Sequence, residues 1–174
     1  MRLLTAEYSD FKYQIRNPNF LHECPLNTPL GEFSILLKIR KKAKMRIIQC
    51  GSTEEAVNAV ASMVMEKISA HPASVIGLAT GRTMEPVYAS LAEQVRNSEV
   101  SLENTFFFML DEYVGLPDNH PSGFQFYIKK HVIEPLKLDE SQFAFPPANV
   151  PDGALHYEES IKESNGVDLQ LLGI

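Results

Sequence analysis

The chain has 174 residues, of which 44% are hydrophobic and 22% charged, and its formal net charge is −6. This length suits one domain with its own core, and this composition argues against an intrinsically disordered chain. The charge is uneven, because Lys and Arg outnumber Asp and Glu by nine to four up to Arg46, whereas the remainder holds seven against eighteen. Since most of the chain is acidic, nucleic acid is not an expected partner.

Hydropathy and cysteine usage bear on location and on metal binding. No apolar run approaches the roughly 20 residues of a membrane span and no secretory leader is recognisable, so we expect a cytoplasmic protein without a membrane partner. Cys24 and Cys50 lack metal-ligand spacing and a disulfide-rich context, which predicts two reduced, structural cysteines. Neither His120 nor His131 has ligand spacing with another His, Cys or carboxylate, so no metal site is expected.

Two regions of different character divide the chain. Residues 1–44 show no clear period and contain several turn-forming Pro and Asn residues, so they are predicted to be an irregular extension. From Met45 onward, short apolar runs alternate with amphipathic helical patterns. This change predicts that residues 45–174 form an α/β domain.

The predicted elements of this domain alternate along the chain. Strands are predicted at 45–50, 74–79, 105–110 and 167–174, and helices near 54–70, 85–96, 122–133 and 155–163. The runs SVIGLA and TFFFML are continuously apolar, as is typical of strands covered on both faces. Strands that alternate with helices imply right-handed crossovers, so the fold class is α/β, with a three-layer, Rossmann-like, mostly parallel sheet.

A candidate anion-binding loop follows the strand at 74–79. Thr80, Gly81, Arg82 and Thr83 lead directly into a helix. A glycine at this turn permits close backbone approach, and the amides at a helix start favour an anion. The two hydroxyls and the guanidinium could complete a phosphate cradle. A capped strand-to-helix turn without a ligand is the alternative interpretation.

Asp111 and Glu112 are adjacent carboxylates that directly follow the strand at 105–110, and Tyr113 comes directly after them. A carboxylate at the edge of a buried strand can have a raised pKa that suits a general base. Because neighbouring residues of an extended chain face opposite ways, only one of Asp111 and Glu112 is expected to point into a given cleft. A helix cap or a surface turn is the alternative. The aromatic residues Phe124, Phe126 and Tyr127 follow a helical pattern and are predicted to be core residues.

Four segments together carry a resemblance to a known family. LATGRTMEPVY, FFFMLDEYVGLPDNHPSGFQFYIKKHV, YEESIKE and VDLQLLGI resemble glucosamine-6-phosphate deaminases over about residues 45–174. The resemblance implies an isomerase/deaminase of carbohydrate metabolism and amino-sugar catabolism, including that of N-acetylglucosamine, and we expect it to be classed as a hydrolase. The implied reaction converts glucosamine 6-phosphate into fructose 6-phosphate and ammonia and requires no redox cofactor.

The same resemblance assigns roles to residues. It implies that Asp111 moves a proton between C2 and C1 of the sugar, with Glu112 and Tyr113 in support. It also implies that the loop from Thr80 to Thr83 binds the sugar phosphate, although the family commonly carries a small residue where this chain has Arg82. The family sequence continues beyond Ile174 into further catalytic groups, so the chain is expected to be incomplete at its C-terminal side and for catalysis.

Two further functions stay open from the sequence. A 6-phosphogluconolactonase-like hydrolase shares the threonine–glycine loop and the acidic pair, but that family usually has Arg where this chain has Tyr113. A non-catalytic fragment that binds sugar phosphate is the other alternative. Whether the chain forms a homo-oligomer is also left open.

Overall fold

The computed structural model describes residues 2–5, 46–117 and 119–173. The strands are β1 (Arg2–Thr5), β2 (Arg46–Gln49), β3 (Val75–Leu78), β4 (Phe106–Met109), β5 (Phe143–Ala144) and β6 (Leu169–Gln170). The helices are α1 (Thr53–Ala70), α2 (Glu85–Arg96), α3 (Phe124–Ile128), α4 (Glu134–Leu136) and α5 (Gly153–Glu163). A π-helical segment (Lys129–Ile133) joins α3 to α4, and a 3₁₀ turn (Glu140–Gln142) precedes β5.

Four strands form a parallel sheet in the order β5-β4-β3-β6. Ile76 in β3 is paired with Phe107 in β4 on one side and with Leu169 in β6 on the other. The chain therefore moves outward from β3 to β5 and then returns to the opposite side of β3. The predicted α/β class with a parallel sheet is confirmed.

The two faces of the sheet are covered by different helices. Ile76, Leu78, Phe107 and Met109 alternate along β3 and β4 and belong to one core with the buried residues of α1, α2 and the π-helical segment. Phe108 faces the other way, and its ring packs edge-on against Tyr157 of α5, with 5.5 Å between ring centroids. The sheet therefore lies between two helical layers, as predicted.

The helix α1 follows from its sequence. The Ser52 hydroxyl accepts a hydrogen bond from the Glu55 amide at 3.1 Å, which satisfies one of the free donors of the first turn. The apolar residues at three- and four-residue spacing are buried, and they include Val57, Val60 and Val64. Both α1 and α2 end where the pattern predicted, at Ala70 and Arg96.

The strand predicted at 45–50 forms as β2 but lies outside the parallel sheet. It is paired antiparallel with β1 in a separate two-stranded ribbon. The physical reason is its composition, since Arg46 and Gln49 flank only two apolar residues, and Ile47 is 57% exposed. Strands of a parallel sheet are usually buried on both faces, which this segment cannot be.

The remaining segments differ in how far the structure describes them. The short strand β5 was not predicted, and the helix predicted at 122–133 is instead α3, the π-helical segment and α4 in succession. Within the expected irregular extension, Arg2–Thr5 forms a strand, and residues 6–45, including Cys24, lie outside the described residues. The division into residues 1–44 and 45–174 therefore stays a prediction. None of the helices described has the length and apolarity needed to cross a membrane.

Candidate functional site

The two loops singled out in the sequence leave the sheet at the same edge. Leu78 and Met109, the last residues of β3 and β4, are paired in parallel register, and the Leu110 amide donates to the Leu78 carbonyl at 3.2 Å. Neighbouring strands lie about 4.8 Å apart in general, so the loops start side by side. The segment Thr80–Thr83 and the acidic pair therefore flank one region at the carboxyl edge, where open α/β sheets bind ligands.

The loop after β3 is shaped by a glycine and leaves polar groups accessible. Gly81 has φ +114°, a conformation that L side chains rarely adopt, whereas a Cβ added there would contact nothing within 4 Å. Glycine is thus required by the backbone conformation and not by lack of space. Arg82 and Thr83 are exposed, Thr80 is half-buried, and the amides of Arg82 and Thr83 donate to no acceptor in the described ranges.

Two carbonyl groups at this turn, those of Ala79 and Gly81, have protein donors. The Tyr88 hydroxyl donates to the Ala79 carbonyl, and burial raises the pKa of Tyr88 above its usual range. The Gly81 carbonyl accepts from the Met84 amide at 2.9 Å and from the Tyr127 hydroxyl at 2.8 Å. The Ala79 and Gly81 oxygens are therefore engaged with the protein, whereas the Arg82 and Thr83 amides have no acceptor among the described residues.

The two adjacent carboxylates occupy different environments. Glu112 accepts hydrogen bonds from the amides of Tyr113 (2.8 Å), Phe124 (2.9 Å) and Gln125 (2.7 Å). Asp111 is exposed and makes no side-chain hydrogen bond to a described residue. Partial desolvation, together with the nearby Glu112 carboxylate, raises the pKa of Asp111, which favours proton uptake. The two residues differ as the alternation along the chain predicted.

Glu112 acts as the cap of α3. Its carboxylate accepts from amides at the start of that helix, where the helix dipole favours negative charge. Helix α3 in turn carries Tyr127, whose hydroxyl contacts the loop after β3. A continuous set of contacts therefore runs from the acidic pair through α3 to Gly81, and the helix-cap alternative describes Glu112 but not Asp111.

The sequence interpretation missed the role of Tyr127. The aromatic pattern predicted a core residue, and its ring does pack against the core. The signal that could have revealed more is the hydroxyl group, since a half-buried tyrosine often places its hydroxyl where it finds a hydrogen-bond partner. The same pattern also predicted Phe126 as core, but Phe126 is 37% exposed.

Tyr113 and His120 lie in the loop between β4 and α3. The Tyr113 ring packs against Phe124 with 4.5 Å between centroids and is 51% exposed. The His120 Nδ1 accepts from the Ser122 amide at 3.1 Å, which gives this histidine a local structural role. The Asn149 side chain accepts from the Gly115 amide at 2.7 Å and so fixes the tip of the loop.

A surface depression and a metal site are the other kinds of site to consider. An open depression of about 300 Å³ is lined by residues that include Leu102 and Gln142, which precede β4 and β5 and so lie at the opposite edge of the sheet. No group of three or more His, Cys, Asp or Glu side chains suited to a metal ion occurs in the part of the chain that the structure describes. The candidate site therefore rests on the two loops at the carboxyl edge.

The comparisons with known proteins all indicate the same family. A family model described as glucosamine-6-phosphate isomerases/6-phosphogluconolactonase matches residues 51–174. The chain is 32% identical over 130 residues to the glucosamine-6-phosphate deaminase of Mycoplasma mycoides subsp. mycoides, covering 75% of this chain and 53% of that protein. It is 35% identical over 133 residues to the deaminase of the same name from Geobacillus sp., with the same two coverages.

A solved structure gives the same similarity. A protein described as a monomeric glucosamine-6-phosphate deaminase superposes with a TM-score of 0.70 at 30% identity, covering 73% of this chain and 54% of that one. The chain spans about half the length of the curated relatives it matches. The cytoplasmic location of this chain stays a prediction, and its oligomeric state stays open.

One expectation is wrong. The label hydrolase does not apply, because the curated relatives are glucosamine-6-phosphate deaminases and hydrolysis is not their reaction type. The labels of deaminase, isomerase and carbohydrate metabolism agree with these relatives.

Proposed function

The chain belongs to the glucosamine-6-phosphate isomerase/6-phosphogluconolactonase family, and we propose that it contributes to conversion of glucosamine 6-phosphate into fructose 6-phosphate and ammonia. The names of the similar proteins support this substrate. The observation that carries the proposal is the side-by-side departure of the two loops from β3 and β4. Because the chain spans about half the length of these relatives, the proposal concerns the part of the site that these residues supply.

The phosphate is assigned to the loop after β3. The Arg82 and Thr83 amides, which have no acceptor among the described residues, are donors, and so are the Thr83 hydroxyl and the Arg82 guanidinium, which adds positive charge. The loop leads into α2, whose first turn has no side-chain cap, so donors at this helix end are also available to an anion. These groups would hold the 6-phosphate and leave the sugar to extend toward the loop after β4.

The proton transfer is assigned to Asp111. A general base must be accessible and must exchange protons near the working pH. Asp111 is exposed, no described side chain or amide engages its carboxylate, and its pKa is raised by desolvation and by Glu112. The carboxylate would take the proton from C2 of the open-chain sugar and return it to C1, while the amine loses a proton and O1 gains one, so that the C1 aldehyde becomes an alcohol and the C2 amine becomes an imine. Water would then add to C2 and ammonia would leave, which gives the ketose.

The first test is binding of glucosamine 6-phosphate to the 174-residue chain, measured by isothermal titration calorimetry. A double variant that combines Arg82→Ser with Thr83→Val should show no detectable binding, because two side-chain donors to the phosphate are lost. Asp111→Asn should bind about as well as the wild type. Glucosamine without the phosphate serves as the control ligand and should bind far more weakly. Equal binding of both sugars would contradict the assignment of the phosphate loop.

The second test concerns the chemistry. Residues 1–174 followed by the C-terminal half of the Geobacillus relative would form a hybrid of family length, in which ammonia release can be followed. Asp111→Asn in this hybrid should lower kcat by about 10²–10⁴, as is usual on loss of a general base, with little change in KM. A variant that keeps near-normal kcat would exclude Asp111 as the base. A hybrid that binds the sugar but is inactive even with Asp111 would favour a binding function alone.

A further inference from the structure

One side chain outside both loops determines how the loop after β3 presents its backbone. The Tyr127 hydroxyl in α3 donates to the Gly81 carbonyl at 2.8 Å, and the Met84 amide donates to the same oxygen at 2.9 Å. A carbonyl oxygen has two lone pairs, so both acceptor positions of Gly81 are used by the protein. The carbonyl is therefore held away from any ligand in the loop.

The orientation of this peptide matters for an anion. A carbonyl oxygen that faced a phosphate would repel it, whereas amide groups attract it. The peptide that follows Gly81 links its carbonyl to the Arg82 amide, and the two point in opposite directions because the peptide is planar and trans. Holding the Gly81 carbonyl toward α3 thus directs the Arg82 amide away from α3, where it has no acceptor among the described residues.

We propose that Tyr127 is a positioning residue for phosphate: its hydroxyl fixes the Gly81 carbonyl toward α3 and so presents the Arg82 amide to the ligand. This inference rests on the proposed function, because it concerns the same loop. It also connects the acidic pair with the phosphate loop, since Glu112 caps the helix that carries Tyr127.

The surroundings of Tyr127 agree with a donor role. Burial and the nearby Glu85 carboxylate raise the pKa of Tyr127 to about 12, so the hydroxyl keeps its proton at neutral pH. The ring packs against His131 at 4.5 Å between centroids and against the core. Phenylalanine would preserve this packing, so the hydroxyl is the part of the side chain that the loop specifically needs.

The test compares two tyrosine-to-phenylalanine variants of the 174-residue chain. Tyr157 is the matched control, because its hydroxyl also donates to backbone carbonyls, those of Met109 and Ala144, but does not contact the loop after β3. Inorganic phosphate and glucosamine 6-phosphate are titrated by calorimetry. Tyr127→Phe should lower the affinity for both ligands by a similar factor, about 3- to 10-fold, because one hydrogen bond is lost. Tyr157→Phe should leave both affinities unchanged.

A second measurement tests the same inference without a ligand. Hydrogen exchange of the Met84 amide, the other donor to Gly81, should be faster in Tyr127→Phe than in the wild type or in Tyr157→Phe. If the Met84 amide exchanged at the wild-type rate in Tyr127→Phe and this variant bound both ligands with wild-type affinity, the positioning role would be overturned. The proposed function would stay in place. Failure of the wild-type chain to bind either ligand would overturn the proposed function, and the positioning role with it.

Discussion

Two neighbouring acidic residues, Asp111 and Glu112, lie in different surroundings. The Glu112 carboxylate accepts hydrogen bonds from three backbone amides, whereas Asp111 accepts no hydrogen bond from the described residues. Adjacent side chains of an extended segment face opposite ways, so one carboxylate turns toward α3 and the other toward solvent. The structure therefore separates a structural carboxylate from the candidate base.

Replacing the candidate base should stabilise the fold. The folded-state pKa of Asp111 is raised, so its ionisation costs stability as the pH rises above the unfolded value of about 3.9. Asp111→Asn should therefore have a higher thermal unfolding midpoint than the wild type at pH 7. The difference should disappear at low pH, where Asp111 is protonated in both states.

Asp139 provides a control of opposite sign for this measurement. Hydrogen bonds from the hydroxyl and amide of Ser141 lower the pKa of Asp139. Asp139→Asn should thus decrease the unfolding midpoint at pH 7. If Asp111→Asn also decreased it, the carboxylate would be stabilising and its assignment as an unengaged base would be wrong.

At the level of elements, α3 depends on a cap that comes from another part of the chain. Glu112 lies 12 residues before Phe124, the first residue of the helix. The preceding Gly123 has no side chain that could accept these amide protons. Helix α3 therefore begins where it does because the loop after β4 delivers a carboxylate to its N-terminus.

Removing this cap should affect stability and binding together. Glu112→Ala should lower the free energy of unfolding in urea by about 0.5–2 kcal/mol, the range found for N-cap substitutions. It should also weaken glucosamine 6-phosphate binding, because α3 positions Tyr127 against the loop after β3, the proposed phosphate site. Ser52→Ala is the matched control, since it removes the cap of α1 at a cost of about 1 kcal/mol but leaves this loop intact. Equal effects of the two variants on binding would contradict the connection through α3.

At the level of the whole molecule, Asp168 joins three elements. Its carboxylate accepts from the Val75 amide at 2.9 Å at the start of β3 and contacts the Lys67 ammonium of α1 at 3.0 Å. Asp168 itself directly precedes β6, so it holds this last strand against the sheet and the helical layer. Partial burial raises the pKa of Asp168, but the Val75 amide, Lys67 and His71 together lower it by more, so the net shift is downward.

The sign of this shift gives a pH-dependent prediction. A carboxylate with a lowered folded-state pKa stabilises the fold above the unfolded value of about 3.9, and this stabilisation is lost as the pH falls through the folded pKa. Asp168→Asn should therefore lower the unfolding midpoint at pH 7, and its difference from the wild type should shrink in acid. Glu158→Gln, which removes the ion pair with the exposed Lys162, should change the unfolding midpoint little. A constant difference at all pH values would contradict the role of the charge.

Tertiary structure decided what local patterns could not. The strand β5 has only two residues, too few for a period to be recognised, and it exists because Phe143 and Ala144 pair with β4. The π-helical segment leaves no local signature in an apolar helical pattern, and the exclusion of β2 from the parallel sheet depends on a distant partner. The hydrogen bond from Tyr127 to Gly81 joins residues 46 positions apart, which no spacing rule could reveal.

The sequence by itself determined the α/β class, the bounds of α1 and α2, and the emergence of the two loops at one edge. Hydrophobic period and capping residues are local, and successive parallel strands joined by helices must place their carboxyl ends on the same side. Only the tertiary structure decided which carboxylate caps a helix, which tyrosine holds the glycine loop, and where β2 pairs. Each of these depends on groups that are distant in the chain and meet only when the layers pack.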